Sequence, residues 1–134
     1  VNASPARALR GFKRPGLWLG LWGLAIATVV AASLMPPPAM AVPRNFDKVE
    51  HLLGYAALSA FAVQLFAQRS MQLRAAAGLV LLGIALEFAQ ALLTTTRMAD
   101  PADALANALG VALGFALSYT GAARWLERFD RRLP

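Results

Sequence analysis

Four apolar runs, each about long enough to cross a bilayer core, decide most of how this chain can fold. They cover residues 17–35, 49–67, 75–93 and 102–119, and a spanning helix needs about 20 such residues. With 58% hydrophobic and only 15% charged residues in 134, and a mean hydropathy of +0.52, the composition is far from that of a soluble domain. The expected class is all-α: an integral membrane bundle of four transmembrane helices, forming a single domain over residues 1–134. Pro36, Pro37 and Pro38 stop the first run, since proline cannot continue a helix. Gly121 follows the fourth as an expected stop. Connections are short, so successive helices should run antiparallel.

Charge sets the orientation. Arg7, Arg10, Lys13 and Arg14 precede the first run, Arg69 and Arg74 lie between the second and third, and Arg124, Arg128, Arg131 and Arg132 follow the fourth. The opposite side holds only Arg44, Lys48 and Arg97 of the 13 basic residues. The positive-inside rule then makes both termini cytoplasmic. The net charge of +6 is thereby a topology signal that also attracts anionic headgroups, and no nucleic-acid partner is expected. The first run with Ala39-Met40-Ala41 also resembles a cleavable secretory signal, but it exceeds the ~7–15 residues of such cores. The mass of the mature protein decides between retention and cleavage. In the tail, residues 121–134, Trp125 and Phe129 are one helical turn apart among arginines, which predicts a short interfacial helix on the cytoplasmic leaflet.

The absence of cysteine and the single histidine exclude disulfides, cysteine nucleophiles, thiolate metal sites and multi-histidine zinc patterns. Polar residues instead interrupt the apolar runs. Asp47, His51 and Tyr55 step by four and share one helix face; Glu87 and Gln90 step by three on the third run; Asp103 and Asn107 step by four on the last. By helix rise, Glu87 lies about 9 Å from the outer end of its helix. All of these, with Lys48 and the loop residue Arg97, belong to one side of the membrane and can converge. Ionisable groups in such segments are costly and usually face a protein interior or a wet cavity.

The pattern Asp47-Lys48-x-x-His51-x-x-x-Tyr55, Glu87-x-x-Gln90 and Arg97-x-x-Asp100-x-x-Asp103-x-x-x-Asn107-x-x-Gly110 closely resembles the signature of the VanZ-like family. These are small bacterial integral membrane proteins, named for a member associated with teicoplanin resistance. The resemblance covers residues 42–115 and implies a multi-pass protein of the bacterial cytoplasmic membrane. The loop before Asp100 reads Met98-Ala99, where the family often has serine or an aromatic.

Each polar residue also has a plainer role. Asp47 with Glu50 could form a capping box. Asp100 before Pro101 suits an N-cap, which puts Asp103 in the first helical turn. Tyr55 fits an aromatic belt. Glu87 is the least easily explained by structure alone, because a carboxylate at that depth must be paired or protonated. Ala106, Gly110, Gly114 and Ser118 form a small-residue seam that permits close helix packing, expected within the bundle rather than between copies, though the sequence allows either.

The leading expectation is an envelope protein whose outward-facing pocket binds or processes a lipid-linked or cell-wall compound. His51, Glu87, Asp47 and Asp103 are the candidate proton-handling groups; Arg97, Lys48, Tyr55, Gln90 and Asn107 are the candidate binding groups. Whether a reaction occurs stays open; no serine, cysteine or threonine nucleophile stands out, so hydrolysis would use activated water. Oxygen-rich Asp47, His51, Glu87 and Asp103 would suit a divalent cation, yet no metal or cofactor is assigned from sequence. The bilayer and an anionic envelope compound are the expected partners, and the oligomeric state is left open. The alternative is a non-catalytic membrane protein whose polar groups form a buried network fixing helix register. A small transporter is the third reading, weakened because the polar groups stop partway across.

Overall fold

The start of the first helix follows from Pro15, whose fixed φ and missing N–H suit a first helical position. The computed structural model describes residues 8–36, 43, 45–96 and 98–134. Among them the chain forms α1 (Pro15–Leu34), α2 (Phe46–Leu65), α3 (Arg69–Leu93), α4 (Pro101–Ala116) and α5 (Trp125–Arg132), with short 3-10 turns at Leu117–Tyr119 and Gly121–Arg124. The described residues are helical apart from connections and one isolated β-bridge between Leu9 and Phe66. Three segments, Pro15–Leu34, Arg69–Leu93 and Pro101–Tyr119, are long and apolar enough to cross a membrane, which points to a membrane protein. The expected span at 49–67 falls on α2. That helix matches α1 in length, but Asp47, Lys48, Glu50 and His51 crowd its first two turns and it is not among the three.

Helix ends follow local chemistry. Asn45 in the left-handed region (φ 64°) turns the chain into α2; asparagine tolerates that conformation better than most residues. Asp47 therefore sits in the first turn of α2 and is not the N-cap that a capping box would need. At the far end of α2 the freed carbonyls find partners elsewhere, as buried helix ends require. The Arg10 N–H donates to Leu65 O (2.9 Å), the Arg10 guanidinium to Val63 O (3.1 Å), and the Gln72 amide to Phe66 O (2.8 Å). α3 begins six residues ahead of its apolar run, because Arg69 to Arg74 are good helix formers. Asp100 caps α4 by accepting from the Ala102 N–H (2.8 Å), with Pro101 at the first helical position. Gly121 has no positive φ; α4 instead tightens into a 3-10 turn that ends at Thr120.

α2 and α4 form the centre. A Cβ on Gly110 would lie 2.3 Å from Leu52 O, and one on Gly114 2.2 Å from Ala56 O. Only glycine lets the two backbones approach this closely. The Ser59 hydroxyl donates to Val111 O (2.8 Å) in the same seam. The small-residue stripe thus packs inside one chain. α3 lies against α4 and α2, and α1 leans on α2 and α3. Tyr55, Leu58, Leu79 and Val111 are the buried apolar centre, with Ala25, Ile26 and Val29 of α1 against it. α1 buries only Trp18 and Ser33. Leu24, Leu81, Phe88, Leu92, Leu109 and Leu113 face outward, an apolar exterior suited to lipid.

Both ends of this assembly are polar, and they differ. One end joins the α2–α3 and α4–α5 connections to the N-terminal segment. There the Arg69 guanidinium lies over the rings of Phe115 (4.6 Å) and Tyr119 (4.4 Å) and bonds Ser118. The other end joins the start of α2, the end of α3 and the start of α4.

Candidate functional site

Helix periodicity brings residues from α2, α3 and α4 together at that second end. The Lys48 ammonium lies 2.9 Å from Asp100, 3.1 Å from Asp103 and 3.5 Å from Asp47. One turn along α2, His51 Nδ1 is 2.9 Å from Asn107 Oδ1, and its Nε2 is 3.8 Å from Asp103 Oδ2. An amide oxygen only accepts, so Nδ1 carries the proton and donates. Glu87 Oε2 accepts the Asp100 backbone N–H at 3.1 Å. The cap of α4 therefore rests on a carboxylate of α3. Asp103, Asn107 and Glu87 are all buried.

Two buried polar atoms in this region have no hydrogen-bond partner among the described residues: Glu87 Oε1 and the Tyr55 hydroxyl. Such orphans are rare in native proteins and call for an explanation. Beside them, a cavity of about 560 Å³ opens between α1 and α2. Val29, Ala32 and Met35 line its α1 side; Asp47, Glu50, His51 and Tyr55 line the α2 side. His51 and Tyr55 belong to both the cavity wall and the polar cluster.

The candidate residues divide as follows. Lys48, His51, Glu87, Asp103 and Asn107 converge, with Tyr55 within electrostatic reach of Glu87. Asp47 stands at the rim, about half exposed. Gln90 turns from the cluster and donates to Ser33 O of α1 at 2.8 Å. Arg97 lies outside the described residues. Asp100, read from sequence as a cap, has a second role as partner of Lys48. The Lys48 ammonium and then the Ala102 N–H hold its carboxyl below the usual carboxylate range.

Sequence reasoning missed a further pair at the opposite end. Burial pushes the Glu127 carboxyl up, but Arg124 (3.0 Å) and Arg131 (2.8 Å) outweigh it and leave the group below its ordinary value. Burial also works against charge on Asp130. The Trp18 indole N–H (2.8 Å) and the backbone N–H groups of Lys13 and Arg14 prevail, and that carboxyl too is lowered. The signal was present: these two acids, three apart, share the face of α5 away from Trp125.

Around the first cluster, one ligand-capable atom from each of His51, Glu87 and Asp103 lies within 4.8 Å of the others. The arrangement can hold a charged group against three helices. Comparison of the chain with family models, with curated proteins and with solved structures finds no match in any of the three.

Proposed function

We propose that this chain is a VanZ-like multi-pass protein of the bacterial cytoplasmic membrane, whose outward-facing recess takes the polar head of a lipid-linked or cell-wall compound. In this reading all four long helices span the bilayer and both termini are cytoplasmic. Arg10, Lys13, Arg14, Arg69 and Arg74 belong to the end away from the cluster, and basic residues favour the cytoplasmic face. The same orientation turns His51, Glu87 and Asp103 outward.

One observation carries the proposal: a buried polar cluster from three helices adjoins a cavity whose α1 wall is mostly apolar, Ser33 apart, and whose α2 wall is mostly polar. That division matches a lipid, whose chain lies along α1 while its head meets His51 and Tyr55. Specific ligand sites combine an apolar lining with a few placed polar groups in this way. A polyprenyl-phosphate probe should bind the protein saturably in lipid nanodiscs. Glu87→Gln and His51→Asn should weaken it about tenfold or more, as expected for loss of a charged hydrogen bond. Unchanged binding in both folded variants overturns the reading.

The alternative is a purely structural network, favoured by Gln90 bonding Ser33 O across to α1 and by Ser59 bonding Val111 O. Under it the wild type shows no saturable probe binding, and the same substitutions lower only the unfolding midpoint.

A further inference from the structure

Three side chains in the cluster each have one polar atom tied to a partner and a second one outside that bond. The His51 Nδ1–H is spent on Asn107 Oδ1 (2.9 Å), which leaves Nε2 on the Asp103 side. Asp103 Oδ1 takes the Lys48 ammonium (3.1 Å), leaving Oδ2 toward His51. Glu87 Oε2 takes the Asp100 N–H (3.1 Å), and Oε1 has no partner among the described residues although the side chain is 94% buried, its residue exposure being 6%. This is the pattern of metal ligands whose outer partners fix their tautomer and orientation.

The spacing agrees. His51 Nε2 and Asp103 Oδ2 stand 3.8 Å apart, too far for a hydrogen bond. Two ligands of one tetrahedral ion, at metal distances of about 2.1 Å, sit about 3.4 Å from each other. One ligand-capable atom from each of His51, Glu87 and Asp103 falls within 4.8 Å of the other two, so small side-chain adjustments close the triangle.

We propose that His51, Glu87 and Asp103 form a binding site for a divalent transition cation such as zinc. One imidazole nitrogen with two carboxylates suits zinc, and three protein ligands leave a coordination position open. Asn107 is a positioning residue, holding the imidazole with its Nε2 toward the ion. The Tyr55 hydroxyl, buried and unpartnered among the described residues, can bond a group in the open position. The proposal deepens the headgroup reading and rests on the same recess. Asp47, Glu50, Glu87, Asp100 and Asp103 make the surroundings acidic, and a bound cation supplies the positive charge that a phosphate needs there.

The chain lends itself to an unambiguous test, since it has no cysteine and His51 is its only histidine. Zinc alone, titrated into the tag-free, chelator-stripped full chain in detergent, should bind saturably at one equivalent and shift the His51 Nε2 resonance. Glu87→Gln and Asp103→Asn should abolish that binding, and Asn107→Ala should weaken it about tenfold to a hundredfold. No saturable binding by the wild type below about 1 mM, a range of weak association, overturns the proposal even if every variant misfolds. Equal zinc affinity in folded Glu87→Gln overturns it as well. The lipid probe is absent from this titration, so its failure is separate from failure of the headgroup reading.

Discussion

Asp130 and Glu127 sit in a tail otherwise rich in arginine, yet both are buried while Trp125 and Phe129 are exposed. α5 therefore turns its acids inward, onto Trp18, Arg124, Arg131 and the N-terminal backbone, and its aromatics outward. Both carboxyls have folded-state pKa values below their ordinary ones. Their contribution to stability is complete above the unfolded value of about 4. It is lost as pH falls from there through the lower folded values. The unfolding midpoint in micelles, followed by circular dichroism, should fall between about pH 5 and pH 3. Asp130→Asn should flatten that decline; an equally steep profile in the variant would rule this carboxyl out as a cause. The cluster around His51 was more legible than this pair. Residues at helical steps within apolar runs, such as His51 and Asn107, announce a shared face. Asp130 carries no such signal, because nothing local predicts that Trp18, more than a hundred residues earlier, donates to it.

At the level of the elements, the α2–α4 seam holds the centre together. Apolar burial drives helices together weakly in lipid, so close packing and interhelical hydrogen bonds carry more of the load. A methyl added at Gly110 or Gly114 meets backbone carbonyl oxygens that cannot move aside. Gly110→Ala and Gly114→Ala should each cost about 1–3 kcal/mol, the usual range for overpacking. Gly78 has open space around its position, and Gly78→Ala should be neutral or gain up to about 1 kcal/mol from helix propensity. Reversible unfolding in mixed micelles measures all three; equal effects would contradict the close approach described here. The seam was visible in sequence as a four-residue step of small side chains. Contact within the bundle was the expected arrangement, but the helix that receives Gly110 and Gly114 was not legible, since their spacing names no partner. Helix limits shifted for local reasons too: a polar first turn at Arg69 and a left-handed Asn45 carry no hydropathy signal.

For the molecule as a whole, orientation is the next property to establish. The chain contains no cysteine, so single cysteines report their side without background labelling. In intact cells Thr95→Cys should react with a membrane-impermeant maleimide. Ser70→Cys should react only after permeabilisation. Both positions are exposed, at opposite ends of α3; the reverse labelling would invert the proposed topology and turn the recess toward the cytoplasm. The all-helical class was legible because apolar runs of membrane length admit few alternatives. The standing of α2 was less so, because its charged first turns interrupt the apolar run and belong to the candidate site.

The polarity of the two ends has an electrical consequence. Carboxylates gather at one extremity and guanidinium groups dominate the other, which gives the assembly a permanent moment along its long axis. An inside-negative voltage exerts a torque on such an object and favours the guanidinium-rich extremity within. In the proposed orientation, an energised cell would thus keep holding the protein in its inserted pose.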